Sequence, residues 1–274
     1  MSTAIGFIGG GNMARCLVGG LIADGIQPGD IRVADPNQQQ LDDIRLSFGT
    51  HASLSNREVA EKSDIVVLAV KPQNIQAVSA ELAPTIARDR PLVISIAAGV
   101  RLAHLGKWLG TSTAIVRAMP NTPALVKSGA TALVANRHVS TEQRNQAESI
   151  MRAVGMTLWL EDESLMDAVT ALSGSGPAYF FFVMEALEQA GEQLGLPRET
   201  ARLLTLQTAF GAAKMALETT TDSHLLRERV TSPGGTTERA VNVLKDNRLE
   251  QIFTEALTAA RDRSVELANI LGNE

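Results

Sequence analysis

Cysteine is nearly missing from this 274-residue chain: Cys16 is the single thiol, which excludes an internal disulfide framework. A lone cysteine suits a reducing compartment, most simply the cytoplasm. Histidine is also scarce. The four residues at 51, 104, 138 and 224 show no metal-ligand spacing among themselves or with Cys16, so no metal is expected. No apolar run reaches the roughly 18 residues of a membrane-spanning helix, and the opening MSTAIGFIGGG has neither a basic n-region nor a cleavable apolar stretch. Neither a membrane nor a secretory route is expected. Basic residues are outnumbered, 25 Lys plus Arg against 30 Asp plus Glu, and they form no cluster. A net charge of −5 with that scatter argues against a nucleic-acid partner, because phosphate neutralisation needs grouped cations. What is present, 45% hydrophobic and 20% charged residues, is the composition of a folded globular protein. Its length allows one large domain or two ordinary ones.

Up to about residue 160, short β-branched runs alternate with helical patterns. Strands are expected over 4–8, 31–34, 65–70, 92–96, 114–117, 130–134 and 157–160, with amphipathic stretches such as 13–23, 74–86 and 142–154 between them. This alternation predicts a mainly parallel sheet covered on both faces, and DIVVLAV and PLVISIAAG are nearly continuously apolar, as doubly buried strands are. After residue 160 strand signals stop, and helices are expected over 177–194, 198–218, 224–230, 236–244 and 249–271. GLPRET marks a break, with Gly195 suited to end one helix and Pro197 to open the next. No period of 20 to 50 residues recurs, so a solenoid is excluded. The expected division is an α/β domain over 1–160 and an all-helical domain over 161–274.

The first strand runs into AIGFIGGGNMA, where Gly9, Gly11 and Ala14 have G-x-G-x-x-G/A spacing. The spacing alone is weak, but strand before and helix after make it a dinucleotide fingerprint. Gly9 permits the tight turn, Gly11 carries no side chain to block a pyrophosphate, and Ala14 lets helix and strand sit close. Cys16, on that helix, reads as a small packing residue. Asp35 ends the second strand about two dozen residues past Gly11, where an acid ordinarily accepts from a ribose 2′-hydroxyl and repels a 2′-phosphate. The following ADPNQQQ offers Asn37 and backbone amides to a phosphate instead, so NADH and NADPH both stay open. Other strand ends face the same crevice: LAVKPQN places Lys71 and Pro72 there, and SIAAGV places Ala97, Ala98 and Gly99. Lys71 reads as a cation for phosphate or helix ends ahead of a catalytic group, since a lysine keeps a high pKa unless buried. RAMPNTPALV, with two prolines around Asn121 and Thr122, reads as a rigid turn closing the cofactor side.

Two stretches stand out in the second half. LSGSGPAYFFFVMEAL starts like a binding loop (Ser173 to Pro177) and continues into an aromatic block from Tyr179, in a chain only 4% aromatic. VTSPGGTTERAVNVL joins Thr231, Ser232, Pro233, Gly234 and Gly235 to a helix beginning at Thr236 or Thr237. Two glycines bring amides close to a ligand and the helix start favours an anion, which makes a seat for a small carboxylate; an ordinary capped helix after a turn explains the same residues equally well.

GFIGGGNMA, LAVKPQ, AAGV, MPNTPALV, LSGSGPAY and TSPGGTTERAVNVL occur together in an order and spacing that resemble the pyrroline-5-carboxylate reductases, and the likeness spans essentially the whole chain. The resemblance implies an N-terminal Rossmann-type doubly wound sheet followed by an all-helical domain that intertwines with a second subunit, in a family whose dimers often form rings of five. It implies reduction of the cyclic imine pyrroline-5-carboxylate to L-proline with NADPH or NADH. Carried over by position, the cofactor residues are Ile8, Gly9, Gly10, Gly11, Asn12, Met13, Asp35, Asn37, Asn56, Val70, Lys71, Pro72, Ser95, Ile96 and Ala97. The substrate residues are Glu163, Ser232, Gly234, Gly235 and Thr237, with Thr237 near the ring nitrogen as the catalytic group. Members preferring NADPH often have Ser where this chain has Asp35, so the phosphate preference is not settled by the likeness. The helix over 177–194 becomes the long helix of a dimer, its aromatic block covered by the partner, and Ser175 serves packing ahead of substrate contact. The rival enzyme class, the β-hydroxyacid dehydrogenases, opens on a similar loop but uses a lysine that GSGPAYFFFVMEAL lacks. A non-catalytic dinucleotide-binding protein has no use for the second anion loop.

Overall fold

A computed structural model describes residues 3–273. The chain forms β1 (Ile5–Ile8), α1 (Asn12–Ala23), β2 (Ile31–Ala34), α2 (Gln38–Phe48), β3 (His51–Ser53), α3 (Asn56–Glu61), β4 (Ile65–Leu68), α4 (Ile75–Asp89), β5 (Leu92–Ser95), α5 (Leu102–Leu109), β6 (Ile115–Met119), β7 (Gly129–Ala135), α6 (Thr141–Arg152) and β8 (Gly155–Trp159). Then come α7 (Met166–Val169), α8 (Gly176–Gln193), α9 (Arg198–Leu217), α10 (Ser223–Arg229), α11 (Thr236–Asp246) and α12 (Leu249–Asn273). The sheet order is β3-β2-β1-β4-β5-β6-β7-β8, parallel throughout except where β7 runs against β6. The first six strands have the doubly wound Rossmann order, with the chain reversing its direction of travel between β1 and β4.

Both faces of this sheet are filled. Phe7, Leu17, Val33, Val67, Ile94 and Val116 belong to one buried cluster, and Ile8, Val66, Leu68, Leu82, Val93 and Leu105 to another. Successive strand residues point to opposite faces, so a strand apolar at every position feeds both clusters. The expected strands 65–70 and 92–96 stop early, at Leu68 and Ser95, leaving Val70 and Ile96 in the turns beyond. The short β3 and helices α2, α3 and α5 lie outside the sequence expectation. β3 has three residues, none buried, and α2 buries only Leu41 and Ile44. α4 continues past the expected residue 86 to Asp89 with Pro84 inside it, and α6 is opened by a reciprocal capping box between Ser140 and Gln143.

The LSGSG stretch is not a loop. Thr170–Gly174 is a π-helical turn joining α7 to the segment before α8, with Ser175 N–H donating to the Thr170 carbonyl at 2.8 Å. A β-carbon on Gly174 would lie 2.5 Å from Met119 Cε, so the small residue serves packing beneath β6.

Two compact units result among the described residues: 3–175 with 260–273, and 176–259. The second contains α8 to α11 and the start of α12, and Gly176 and Ala201 are the buried residues among 176–259. The end of α12 belongs to the first unit, where Ala268 is buried and Ser264 Oγ donates to Asp167 Oδ1 at 2.7 Å. Among the described residues no helix is long and apolar enough to cross a membrane.

Candidate active site

The turn from β1 into α1 lies at the switch point, where the chain connections to β2 on one side and to β4 on the other lead away in opposite directions. Gly9 has φ +101°, and a β-carbon there would sit 2.7 Å from the Ala69 carbonyl oxygen, so only glycine fits between β1 and the end of β4. Gly10 is held from both sides: its N–H donates to Asp35 Oδ2 at 2.8 Å, and its carbonyl accepts from Gln40 Nε2. Gly11 is the N-cap of α1 without a side-chain cap, and a β-carbon on it would meet nothing within 4 Å. The first turn of α1 has no acidic residue, so the amides of Asn12 and Met13 begin the helix without a carboxylate of the chain's own. An open glycine at a bare helix start is the cradle a pyrophosphate requires.

The parallel strands bring the other expected cofactor residues to this same carboxyl edge of the sheet. Asp35, half-buried just after β2, also accepts from Asn37 N–H through Oδ1 at 2.9 Å, while Asn37 caps α2. Both carboxylate oxygens are therefore engaged by backbone amides, each with a lone pair to spare for a hydroxyl donor. Asn56 opens α3, with its amide donating to Glu81 Oε2 at 3.0 Å. Val70 is half-buried, Lys71 is exposed, and Pro72 opens a single 3-10 turn after β4. Ser95 is fully buried and its hydroxyl accepts from Ala97 N–H at 3.4 Å, with Ile96 between them. The Cys16 thiol on α1 donates to the Asn12 carbonyl at 2.8 Å, and burial pushes its pKa up, so it offers no thiolate.

Glu163 lies in a 3-10 turn after β8. Its Oε1 accepts from Arg117 Nη1 and from Leu102 N–H, each at 2.8 Å. Arg117, on β6, was not expected as part of any site. The available signal was one guanidinium inside the apolar run AIVRAM, because a buried arginine needs a partner. Gln40 was missed too, since nothing local marks a glutamine that reaches back thirty residues. Asn121, expected in a rigid turn, ties it in place: Oδ1 accepts from Ala130 N–H at 2.9 Å and Nδ2 donates to the Ser173 carbonyl at 3.0 Å.

In the second unit, α11 begins at Thr236 with Gly235 as N-cap. Gly234 has φ +74°, and its N–H donates to Glu238 Oε2 at 2.8 Å; Gly235 N–H donates to the Ser232 carbonyl at 3.0 Å. Both glycine amides are thus engaged inside the loop. Among the donors left to a ligand are the amides of Thr236 and Thr237 in the first turn and the hydroxyls of Ser232, Thr236 and Thr237, all on exposed residues.

The first unit is a Rossmann-type dinucleotide-binding domain, with its glycine loop at the switch point and a helix start free of acids. Residues 4–99 match the family described as "NADP oxidoreductase coenzyme F420-dependent", and residues 163–267 match "Pyrroline-5-carboxylate reductase dimerisation". A pyrroline-5-carboxylate reductase of Pseudomonas aeruginosa is 52% identical over 99% of this chain and 100% of its own length. Among solved structures, a pyrroline-5-carboxylate reductase from Coxiella burnetii superposes with a TM-score of 0.93 at 52% identity, over 97% of this chain and 99% of that one. One from Plasmodium falciparum, with NADP bound, gives 0.87 at 30% identity over 97% and 98%. The chain belongs to the pyrroline-5-carboxylate reductase family. It is an oxidoreductase, and neither the β-hydroxyacid dehydrogenase nor the non-catalytic alternative is favoured.

Proposed function

We propose that this protein reduces pyrroline-5-carboxylate to L-proline with NADPH or NADH, the last step of proline biosynthesis, and that it works in the cytoplasm as a dimer whose copies assemble into a ring of five dimers. The observation that carries the catalytic reading is the Ser232–Thr237 loop. It places three hydroxyls and two free helix amides around a glycine turn, with no lysine or histidine among them.

That donor set suits the chemistry. A cyclic imine takes a proton on nitrogen from water, and the resulting iminium accepts hydride at the adjacent ring carbon. A dinucleotide held on the glycine loop would supply that hydride. The chain's own residues orient the acceptor and hold its charges, which is the work left to a protein when a cofactor carries the chemistry. The Thr236 and Thr237 amides with the Ser232 hydroxyl hold the substrate carboxylate beside Gly234 and Gly235, and the Thr237 hydroxyl meets the ring nitrogen. On the first unit, Gly9 to Met13 would hold the pyrophosphate. Asp35, Asn37 and Asn56 flank the adenosine side, and Val70 to Pro72 with Ser95 to Ala97 line the nicotinamide side.

Self-association is supported by the dimerisation family match and by an apolar second unit that stays exposed in the single chain, including Phe180, Phe181 and Phe182. The test is steady-state oxidation of NADPH and NADH with pyrroline-5-carboxylate, with proline quantified as product. Stoichiometric proline is the expected result, and its absence with both dinucleotides would overturn the reading.

A further inference from the structure

We infer that Arg117 is a positioning residue for the dinucleotide, acting through Glu163 on the turn between β5 and α5. The inference rests on the reductase reading above, in which residues 95–97 line the nicotinamide side of the crevice.

Arg117 is 3% exposed and sits in register beside Ser95, the last residue of β5. A guanidinium stays charged in any protein setting, so at this depth it needs an acceptor. Glu163 Oε1 provides it at 2.8 Å. The same oxygen accepts from Leu102 N–H, the first residue of α5, whose N-cap Arg101 supplies no side-chain cap. One carboxylate oxygen therefore joins β6 to the start of α5, and Glu163 acts as the missing cap. Glu163 Oε2 makes no hydrogen bond to the described residues.

Between the ends so joined lies the turn 96–101. It is held at its start by the strand register and by the Ala97–Ser95 contact, and at its far end by Glu163. In its middle Gly99 has φ +75°, where a β-carbon would rest 3.7 Å from the backbone of Ala268 on α12. A turn pinned at both ends keeps its shape without a ligand, so less ordering is required when the dinucleotide binds. Through Oε1 Glu163 thereby acts on the cofactor side, in addition to the substrate role that the family likeness implies.

A buried ion pair exchanged for apolar residues is often neutral for stability, whereas removing one partner strands a charge. That separates a positioning role from a structural one. The experiment measures the dissociation constants of NADPH and NADH by their fluorescence on binding, without substrate, together with Tm and with KM for pyrroline-5-carboxylate at saturating dinucleotide. Arg117→Met and Glu163→Gln are each expected to weaken dinucleotide binding about tenfold, the effect of losing a charge-assisted hydrogen bond. In Arg117→Met and Arg117→Lys, KM for pyrroline-5-carboxylate should stay within about threefold. The Arg117→Met/Glu163→Leu double variant should keep its Tm within a few degrees and bind dinucleotide no worse than the weaker single, because one contact is lost twice. Arg117→Lys, which keeps a cation, should recover most of the affinity.

Dinucleotide binding within about twofold of wild type in the double variant would overturn the inference, and if the singles fail to fold the double decides alone. A raised KM for pyrroline-5-carboxylate with unchanged dinucleotide affinity would also overturn it and confine Glu163 to the substrate. A wild type that makes no proline, while these variants bind dinucleotide more weakly, would sink the reductase reading and leave the positioning role standing.

Discussion

The two compact units of this chain treat their apolar residues in opposite ways. In the first, strand residues such as Phe7, Ile8, Val66 and Val67 are fully enclosed, and helices cover both faces of the sheet. In the second, α8 carries Phe180, Phe181 and Phe182 at 67%, 63% and 71% exposure, and α9 carries Leu203, Leu204 and Phe210 above half. Burial supplies roughly 25 cal/mol per Å² of apolar surface, so a unit that encloses only Gly176 and Ala201 lacks the main term that holds a domain together. The difference teaches that the single chain is a finished nucleotide-binding domain joined to an unfinished helical one.

The strongest way to break this comparison is to charge the unfinished surface. Phe181→Glu places a carboxylate where a partner helix is proposed to pack, and desolvating an unpaired charge outweighs what one aromatic contributes. The variant should lose assembly completely, giving monomer or aggregate by light scattering at micromolar concentration. A wild type that is a folded, active monomer would show instead that the exposed aromatics of α8 have another purpose.

A second comparison sets the start of α1 against that of α11. Both follow glycine turns, yet α1 has no acid in its first turn while α11 engages Gly234 with its own Glu238. The α11 loop therefore depends more on its hydroxyls. Thr237→Ala should lower kcat/KM for pyrroline-5-carboxylate by roughly one to two orders of magnitude, the effect of about 1.5–3 kcal/mol for a hydrogen bond to a charged group. Thr237→Ser should retain most activity, and dinucleotide affinity should hardly move in either. Equal impairment of the two variants would assign the effect to the threonine methyl or to the helix start.

At the α1 end the corresponding residue is Asp35. Its carboxylate would repel a 2′-phosphate, an interaction of a few kcal/mol at most at an effective dielectric of about 20. Because Asp35 also accepts from Gly10 and Asn37, Asp35→Ser should weaken both dinucleotides through the loosened loop. The ratio of kcat/KM for NADPH over NADH should nonetheless rise about tenfold. A wild type that already prefers NADPH strongly, with a ratio unmoved by the substitution, would leave Asp35 as a loop latch only.

Legibility in the sequence follows the same division. β1, β4 and β5 stand out because residues buried on both faces leave nearly unbroken apolar runs, and the glycine loop because its spacing sits between a strand and a helix. β3 escaped because three residues without a buried side chain carry no pattern. The π-turn over Thr170–Gly174 read as a loop because small polar residues usually form one. Here the Thr170 and Ser173 hydroxyls donate back to the carbonyls of Met166 and Val169, so these polar groups are satisfied within a helical turn that they bend without ending. The geometry of the glycine loop was legible where a residue type acts locally, as at the tight turn of Gly9. The candidate site was not legible where a side chain acts across the fold, as Gln40 does on Gly10 and Arg117 on Glu163.

One helix displays both kinds of surface, and it allows the finest test. Along α12, residues 251–256 are exposed, whereas Ser264 and Ala268 are buried in the first unit. The Ser264 hydroxyl donates to Asp167 at 2.7 Å, and both residues are under 10% exposed. Ser264→Ala leaves that carboxylate oxygen without its donor, a loss of about 1–3 kcal/mol. For a chain of this size Tm should fall by about 3–8 °C, compared at one protein concentration because assembly adds to apparent stability. The matching change in the exposed half is Thr254→Ala, which removes only a hydroxyl bonded to its own helix at the Glu250 carbonyl. It should change stability by no more than about 0.5 kcal/mol, and alanine's higher helix propensity offsets even that. Equal shifts in Tm from the two variants would mean that the two halves of α12 contribute alike, and the contrast between finished and unfinished units would fail at the one element they share.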